Sequence, residues 1–327
     1  MASNDDKLTG EYLLAEWQGA HKANGIGKRA WVREAYPGMT YGQWWGKVYR
    51  YQQSLVGKLA PQEQWFMQDI APELELDGDW MVIGDVHVPC TDYGFAQLVT
   101  AIADKHLPNC KGLIVAGDLL NADAYSKYSS LISLPSFNTE IQAAKHLVEL
   151  WLETFPRVVW LMGNHDARFL THDNGQITAD MLKDIITHNG RVELSIWDRC
   201  FVTTDNGRWV VAHGASYSRN QLNNPAEYAL QFQCNVISHH EHHFGVGMDK
   251  YRRYTVVNNG GLFDPKKMLY SRLKTTNRPA MAQGFVMLRG GYPYLFGSDG
   301  FTDWDLWLGD DDSFVTPRQI DVQVAAA

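Results

Sequence analysis

The chain has 327 residues, 45% of them hydrophobic and 20% charged, with a formal net charge of −8. That length can bury a full core in one large domain or two, and the acidic balance excludes global attraction to a polyanion, so any contact with nucleic acid has to be local. No apolar run reaches the ~18 residues a membrane span needs. The first six residues are polar and acidic, unlike a secretion signal, and Cys90, Cys110, Cys200 and Cys234 form no Cys-x-x-Cys pair. The expectation is a cytoplasmic protein with reduced cysteines and no membrane partner.

Residues 1–75 read as a small helical module. Leu8 to Lys22 and Arg29 to Ala35 have helical patterning, Pro37-Gly38 makes a turn, and Thr40 can cap a helix over Tyr41 to Tyr51, where Trp44, Val48 and Tyr51 recur at helical spacing. Two short helices around a Pro-Gly turn suit a helix-turn-helix-like unit. Between residues 1 and 60, eight Lys or Arg stand against five acids, a net +3, opposite in sign to the whole. Two readings stay open: a solvated helical cap, or a docking module for nucleic acid or another partner. Trp44 and Trp45 do not discriminate, since a Trp pair serves a core as readily as a stacking platform.

An α/β body is expected over residues 76–300. Five apolar, β-branched runs predict buried strands: Trp80–Ile83, Leu113–Ala116, Val158–Met162, Trp209–Ala212 and Val236–Ser238. Helical patterning fills Phe95 to His106, Thr139 to Thr154, Asp180 to Thr187 and Pro225 to Gln233. Val192 to Ser195, Cys200 to Thr204 and Tyr254 to Asn258 read as further strands. Asn206-Gly207 and Gly290-Gly291 mark hairpins, the second joining Met281–Arg289 to Tyr292–Phe296. Parallel crossovers combined with late hairpins predict an α/β fold with a mixed two-sheet β-sandwich core flanked by helices. Residues 301–327, with Asp310-Asp311-Asp312, read as a tail or peripheral segment.

Each of the five buried runs ends in residues able to bind a metal. Asp85 and His87 follow the first, Asp118 the second, Asn164-His165-Asp166 the third, His213 the fourth, and His239-His240-Glu241-His242-His243 the fifth. Strand alternation would aim Asp85 and His87 to one side. Two carboxylates, one amide oxygen and four imidazoles exceed what one ion needs, but suit two divalent ions sharing a carboxylate. Such a centre attracts phosphate esters. Tyr125, Ser126, Lys127, Tyr128, Tyr217, Arg219, Asn220 and Asn223 lie on loops suited to substrate recognition.

Asp85-x-His87, Gly117-Asp118, Gly163-Asn164-His165-Asp166, His213-Gly214, and His240-x-His242 followed by Asn258-Asn259-Gly260 together resemble the ordered signature of the calcineurin-like metallophosphoesterase superfamily, over about residues 79–262. The Gly-Asn-His-Asp-Ala-Arg wording and the N-terminal helices are similar to bacteriophage-encoded members, which implies a host cytoplasm. By this resemblance one ion takes Asp85, His87, Asp118 and His242. The second takes Asp118, Asn164, His213 and His240, with Asp118 as the bridge. His165 would contact phosphate and protonate the leaving group, Asp166 would orient it, and Arg168 would bind phosphate. The implied nucleophile is a hydroxide on the ions. Manganese is the first expectation for the metal, with Fe, Zn, Co or Ni also accommodated by this donor mixture.

Two departures stand out: Asn121 occupies a position that is often Asp, and His239 one that is commonly Gly. The second leaves a register ambiguity in which Glu241 takes the final ligand position. The implied function is phosphodiester cleavage in DNA or RNA. The alternatives are a phosphatase or phosphodiesterase on nucleotides, cyclic nucleotides or phosphoproteins, and an inactive metal-stabilised scaffold that binds nucleic acid.

Overall fold

The computed structural model describes residues 9–56, 72–126, 135–172, 177–268, 280–298 and 300–309. The chain divides into two compact units, Met1–Pro72 and Glu73–Ala327.

In the first unit α1 (Gly10–Asn24), α2 (Lys28–Ala35) and α3 (Tyr41–Val56) close around Leu13, Trp31, Val32, Trp44 and Val48. Helix α1 starts where the Thr9 hydroxyl accepts from the Tyr12 N–H, and ends at Gly25, whose φ of 70° is the left-handed stop glycine provides without strain. Helix α3 starts in a reciprocal cap: the Thr40 N–H donates to Gln43 Oε1 at 2.8 Å, and the Gln43 N–H donates to Thr40 Oγ1 at 3.3 Å. Trp44 is fully buried, whereas Trp45 is 40% exposed. The Lys28 ammonium lies 4.7 Å from the Trp17 ring centroid and 5.2 Å from that of Trp45.

The second unit is a sandwich of two mixed six-stranded sheets. One runs in the order β1 (Leu74–Asp77), β6 (Arg199–Thr204), β7 (Gly207–Ala212), β8 (Asn235–Ser238), β10 (Thr255–Asn259), β9 (Phe244–Met248). The other runs β12 (Tyr292–Gly297), β11 (Gly284–Arg289), β2 (Trp80–Ile83), β3 (Leu113–Ala116), β4 (Val158–Leu161), β5 (Val192–Leu194). Strands β2 to β5 are mutually parallel, as are β7, β8 and β10. The β11–β12 and β6–β7 hairpins add the antiparallel part.

Alternation along the strands decides the layers. Trp80, Val82, Ile114, Ala116, Val159 and Leu161 face the other sheet and meet Val202, Trp209, Val211, Ile237 and Val257. Their neighbours Met81, Ile83, Val115 and Trp160 point outward, beneath α4 (Tyr93–His106) and α5 (Phe137–Thr154), which contribute Leu98, Ile102, Leu147 and Trp151. On the opposite face Val210, Val236 and Val256 pack under Ala229 of α8 (Asn223–Phe232). Helices α6 (Asn164–His172) and α7 (Ala179–Ile186) follow β4.

Several elements differ from the sequence expectation. The stretch beginning at Asn164, given no helix in the sequence reading, opens α6, with the Ala167 N–H donating to the Gly163 carbonyl. Strands β1 and β9 border the first sheet; Phe244-Gly-Val-Gly-Met carries two glycines and a half-exposed Val246, so its pattern is weak. Within residues 301–327, read as a tail or peripheral segment, α9 (Trp304–Leu308) buries Trp304 and Leu308 in the main core, and the His106 ring lies 2.6 Å from the Trp307 carbonyl. Residues 310–327, with their acidic run, lie outside the described residues, as do Lys127 and Tyr128.

Candidate metal centre

The C-terminal ends of β2, β3 and β4 in one sheet and of β7 and β8 in the other deliver their ligand-type residues to one place. Asp85, His87 and His242 form one group, Asp118, His213 and His240 another, and His87, Asp118 and His165 a third; within each, the offered donor atoms lie within 4.8 Å of one another. The Asn164 amide oxygen joins the second group, 3.0 Å from His213 Nε2.

Alternation does not achieve this. Strand β2 stops at Ile83, and Asp85 and His87 have φ of 47° and 50°. Asp118, His240 and His242 are also left-handed, at 53°, 79° and 59°. Five of the eight non-glycine residues with positive φ among those described are therefore ligand-type residues of this cluster. An L-residue there costs on the order of 1 kcal/mol or more, and the conformation persists only where surroundings enforce it.

The two aspartates are built alike. Asp85 Oδ2 accepts from the His240 N–H at 2.9 Å, and its other oxygen faces His242 Nε2 at 3.2 Å and His87 Nε2 at 3.6 Å. Asp118 Oδ1 accepts from the His165 N–H at 2.7 Å, leaving Oδ2 at 3.3 Å from His213 Nε2, 3.7 Å from His87 Nε2 and 3.9 Å from His165 Nε2. One oxygen of each carboxylate is tied to backbone and one is presented. Gly163 is required for this closeness, since a Cβ there would lie 2.2 Å from Asp118 Oδ1.

The donor set fits divalent cations. Donors about 2.1 Å from one ion, at tetrahedral or octahedral angles, stand roughly 3.0–3.4 Å apart, close to the His87–His242 Nε2 separation of 3.3 Å and the His213–Asn164 and His242–Asp85 distances. The His213 Nδ1–H donates to the Ala116 carbonyl at 2.9 Å, which aims Nε2 into the cluster. Electrostatics agree. Burial would raise the Asp118 carboxyl, but His213, His165 and His87 hold it well below the usual range, and His242, His239 and His87 do the same for Asp85. Burial opposes charge on His213 as well, yet the field of Asp118 pushes it up to about 10. The cluster favours positive charge.

The register of the fifth segment follows from the contacts. His240 and His242 enter the cluster, whereas Glu241 turns away to accept from the Ser218 N–H at 2.5 Å and the Asn258 amide at 2.8 Å. His239 lies behind Asp85, with Nδ1 3.6 Å from Oδ2.

His165 is held differently from the expectation. The Asp166 carboxylate accepts from the Leu120 N–H at 2.9 Å and from the Trp160 indole and Gly163 N–H at 3.1 Å, so it holds two backbone groups and an indole. Burial raises its carboxyl to about 6. The group 2.7 Å from His165 Nδ1 is the Asn121 carbonyl. Arg168 donates to His165 Nε2 at 2.8 Å and lies 3.6 Å from Asp123. A guanidinium can only donate, so Nε2 accepts and Nδ1 carries the proton. Burial accordingly holds the imidazolium pKa well below normal. Asn121 contributes its backbone to this arrangement, while its amide donates to Asp123 at 2.7 Å. Tyr125, expected to face substrate, packs edge-on against Phe137 and Phe169.

Comparison with known proteins matches the sequence to a family. The profile of the calcineurin-like phosphoesterases matches residues 80–306, and the chain belongs to that family. Similar solved structures include Vps29 from Entamoeba histolytica complexed with Zn²⁺, at 14% identity over 68% of this chain and 94% of that one, with a TM-score of 0.34. Vps29 from Chaetomium thermophilum matches at 13% identity over 67% and 95%, TM-score 0.34. A conserved protein from Streptococcus pneumoniae described as a predicted phosphoesterase matches at 13% over 67% and 97%, TM-score 0.29. A search of curated protein sequences finds no match. Among the described residues no helix is long and apolar enough to cross a membrane.

Proposed function

We propose that the protein hydrolyses phosphate esters with two divalent ions, held by Asp85, His87, Asp118 and His242 on one side and by Asp118, Asn164, His213 and His240 on the other. The observation that carries this reading is the pair of aspartates, each with one oxygen tied to a backbone N–H and the other turned toward imidazoles. Ions bound there supply Lewis acidity toward a phosphoryl oxygen and an activated water. The chain's own residues do the rest. Asp118, whose Oδ2 faces imidazoles from three segments, is the residue that would serve both ions. The Nδ1–H of His213 stays on the Ala116 carbonyl and keeps Nε2 inward. His165, with its proton on Nδ1, is the group able to accept and return a proton at Nε2 beside the leaving oxygen. Arg168 takes a phosphate oxygen and, in doing so, leaves Nε2.

Within that class the first substrate is a phosphodiester in DNA or RNA, and manganese the first activating metal. The basic, aromatic character of the N-terminal unit supports the polynucleotide reading: Lys28 lies over the rings of Trp17 and Trp45, and Arg29 over Tyr41. The narrower likeness to bacteriophage enzymes rests on the wording from Gly163 to Arg168 and on these helices. A panel of single- and double-stranded DNA, RNA, cyclic nucleotides, monoesters and bis-p-nitrophenyl phosphate, each supplemented with Mn²⁺, tests it. Polynucleotide cleavage that weakens when residues 1–72, the N-terminal unit, are removed, with the small diester spared, is the expected pattern. Turnover of monoesters or nucleotides alone would transfer the activity to small substrates, and two tightly bound ions with no turnover would make the protein a scaffold.

A further inference from the structure

Helix α5 supplies none of the candidate ligands, yet one of its residues reaches toward them. Glu140 is 1% exposed, an unusual place for a carboxylate, and its Oε2 accepts from the Ala122 N–H at 2.8 Å. The Asp123 N–H bears on the same carboxylate. Ala122 is itself fully buried, with a φ of 48°, a left-handed conformation that alanine does not choose on its own. The carboxylate is what holds it there.

The consequence lies in the peptide unit joining Asn121 to Ala122. A trans peptide is planar, with N–H and C=O pointing in opposite directions. The N–H of this unit points to Glu140, so its C=O points the other way, to His165 Nδ1 at 2.7 Å and to Arg168 Nη1 at 3.3 Å. Two peptide units earlier the Leu120 N–H is held by Asp166. Two buried carboxylates therefore grip alternate N–H groups of one loop, and the carbonyl between them fixes the histidine. A negative acceptor on one end of a peptide also strengthens its carbonyl as an acceptor at the other.

We infer that Glu140 is a positioning residue for His165, acting through the Asn121–Ala122 peptide as a carboxylate one peptide removed from the imidazole. The inference rests on the reading that His165 takes part in phosphoester hydrolysis. It assigns to Glu140 the orienting task expected of Asp166, and it explains how Asn121 serves without a charged side chain: the charge sits on Glu140, and Asn121 passes it on through its backbone.

The test is a cycle of Glu140→Leu, Glu140→Gln and His165→Asn, alone and combined. Each is followed by kcat and KM on bis-p-nitrophenyl phosphate with Mn²⁺, by Mn²⁺ stoichiometry, and by the His165 imidazole resonances in the metal-free protein. Expected for Glu140→Leu is a fall in kcat of about tenfold or more, the scale on which outer partners of reactive groups act, with KM and two bound ions unchanged. In the His165→Asn background the same substitution should change kcat no further. Glu140→Gln, which keeps an acceptor, should recover most of the loss yet still shift the His165 Nδ1–H resonance. That variant carries the test should Glu140→Leu not fold. Wild-type kcat in a folded Glu140→Leu, an equal loss with and without His165, or an unmoved resonance in Glu140→Gln overturns the inference. Wild-type turnover in His165→Asn is a different failure: it removes the reading on which the inference rests, and the inference with it.

Discussion

The two halves of the cluster are built from similar residues but are not equivalent. On the Asp85 side a carboxylate meets His87 and His242, contributed by two loops. On the Asp118 side the presented oxygen meets His213, His87 and His165, contributed by three, and the neutral amide of Asn164 completes the set. Asp118 belongs to two of the three donor groups and Asp85 to one, the asymmetry that the proposed sharing of Asp118 between two ions requires. Substitutions should reveal that asymmetry.

The largest effect is expected at the shared residue. Asp118→Asn should lose both ions and lower turnover at least ~10³-fold, about 4 kcal/mol of transition-state stabilisation at 1.36 kcal/mol per decade. Asp85→Asn should lose one ion and keep the other, and equal losses in the two variants would break the comparison. Next is His165→Asn, which should retain two ions while turnover falls about 10²- to 10⁴-fold, the range for removing a general acid or base. Metal loss on that substitution would make His165 a ligand. A smaller separation is expected between His242→Ala and His213→Ala. Each should weaken a different ion by at least the roughly 10–100-fold that loss of an outer partner costs, as read by competitive metal titration.

The smallest effect concerns the loop carrying His165. Burial raises the Glu140 carboxyl from its ordinary 4.5 to about 7, against the pull of the Ala122 N–H. A carboxyl raised on folding favours the protonated form, so its contribution to stability is full below pH ~4.5 and is lost as pH rises through about 7. Thermal melts of metal-free protein should therefore show Glu140→Gln matching wild type near pH 4.5 and exceeding it near pH 8, by up to a few kcal/mol at about 1.4 per pH unit. A buried anion kept at a cost in stability is what a positioning role demands, whereas identical pH profiles would mean that Glu140 is not charged at working pH.

The sandwich strands were legible because Trp80–Ile83, Leu113–Ala116 and Val158–Leu161 are continuous apolar runs, and burial on both faces demands such runs. The ligand-type residues were legible because each follows one of these runs. Their backbone was not: nothing in Asp85-Val86-His87 announces two left-handed residues, since the surrounding loops impose that conformation. Asp166 looked like the partner of its neighbour His165, but α6 starts at Asn164 and leaves the carboxylate facing the Leu120, Gly163 and Trp160 donors instead. Glu140 carried no signal, because a carboxylate on an amphipathic helix ordinarily faces water. Only the folded loop supplies the N–H that it meets.

The most direct measurement is the anomalous difference map of a crystal grown with Mn²⁺. Two peaks should appear, both within about 2.0–2.4 Å of Asp118 Oδ2, with Asp85 and His242 near only one and Asn164 and His213 near only the other. A single peak, or two peaks of which only one touches Asp118, would contradict the shared carboxylate.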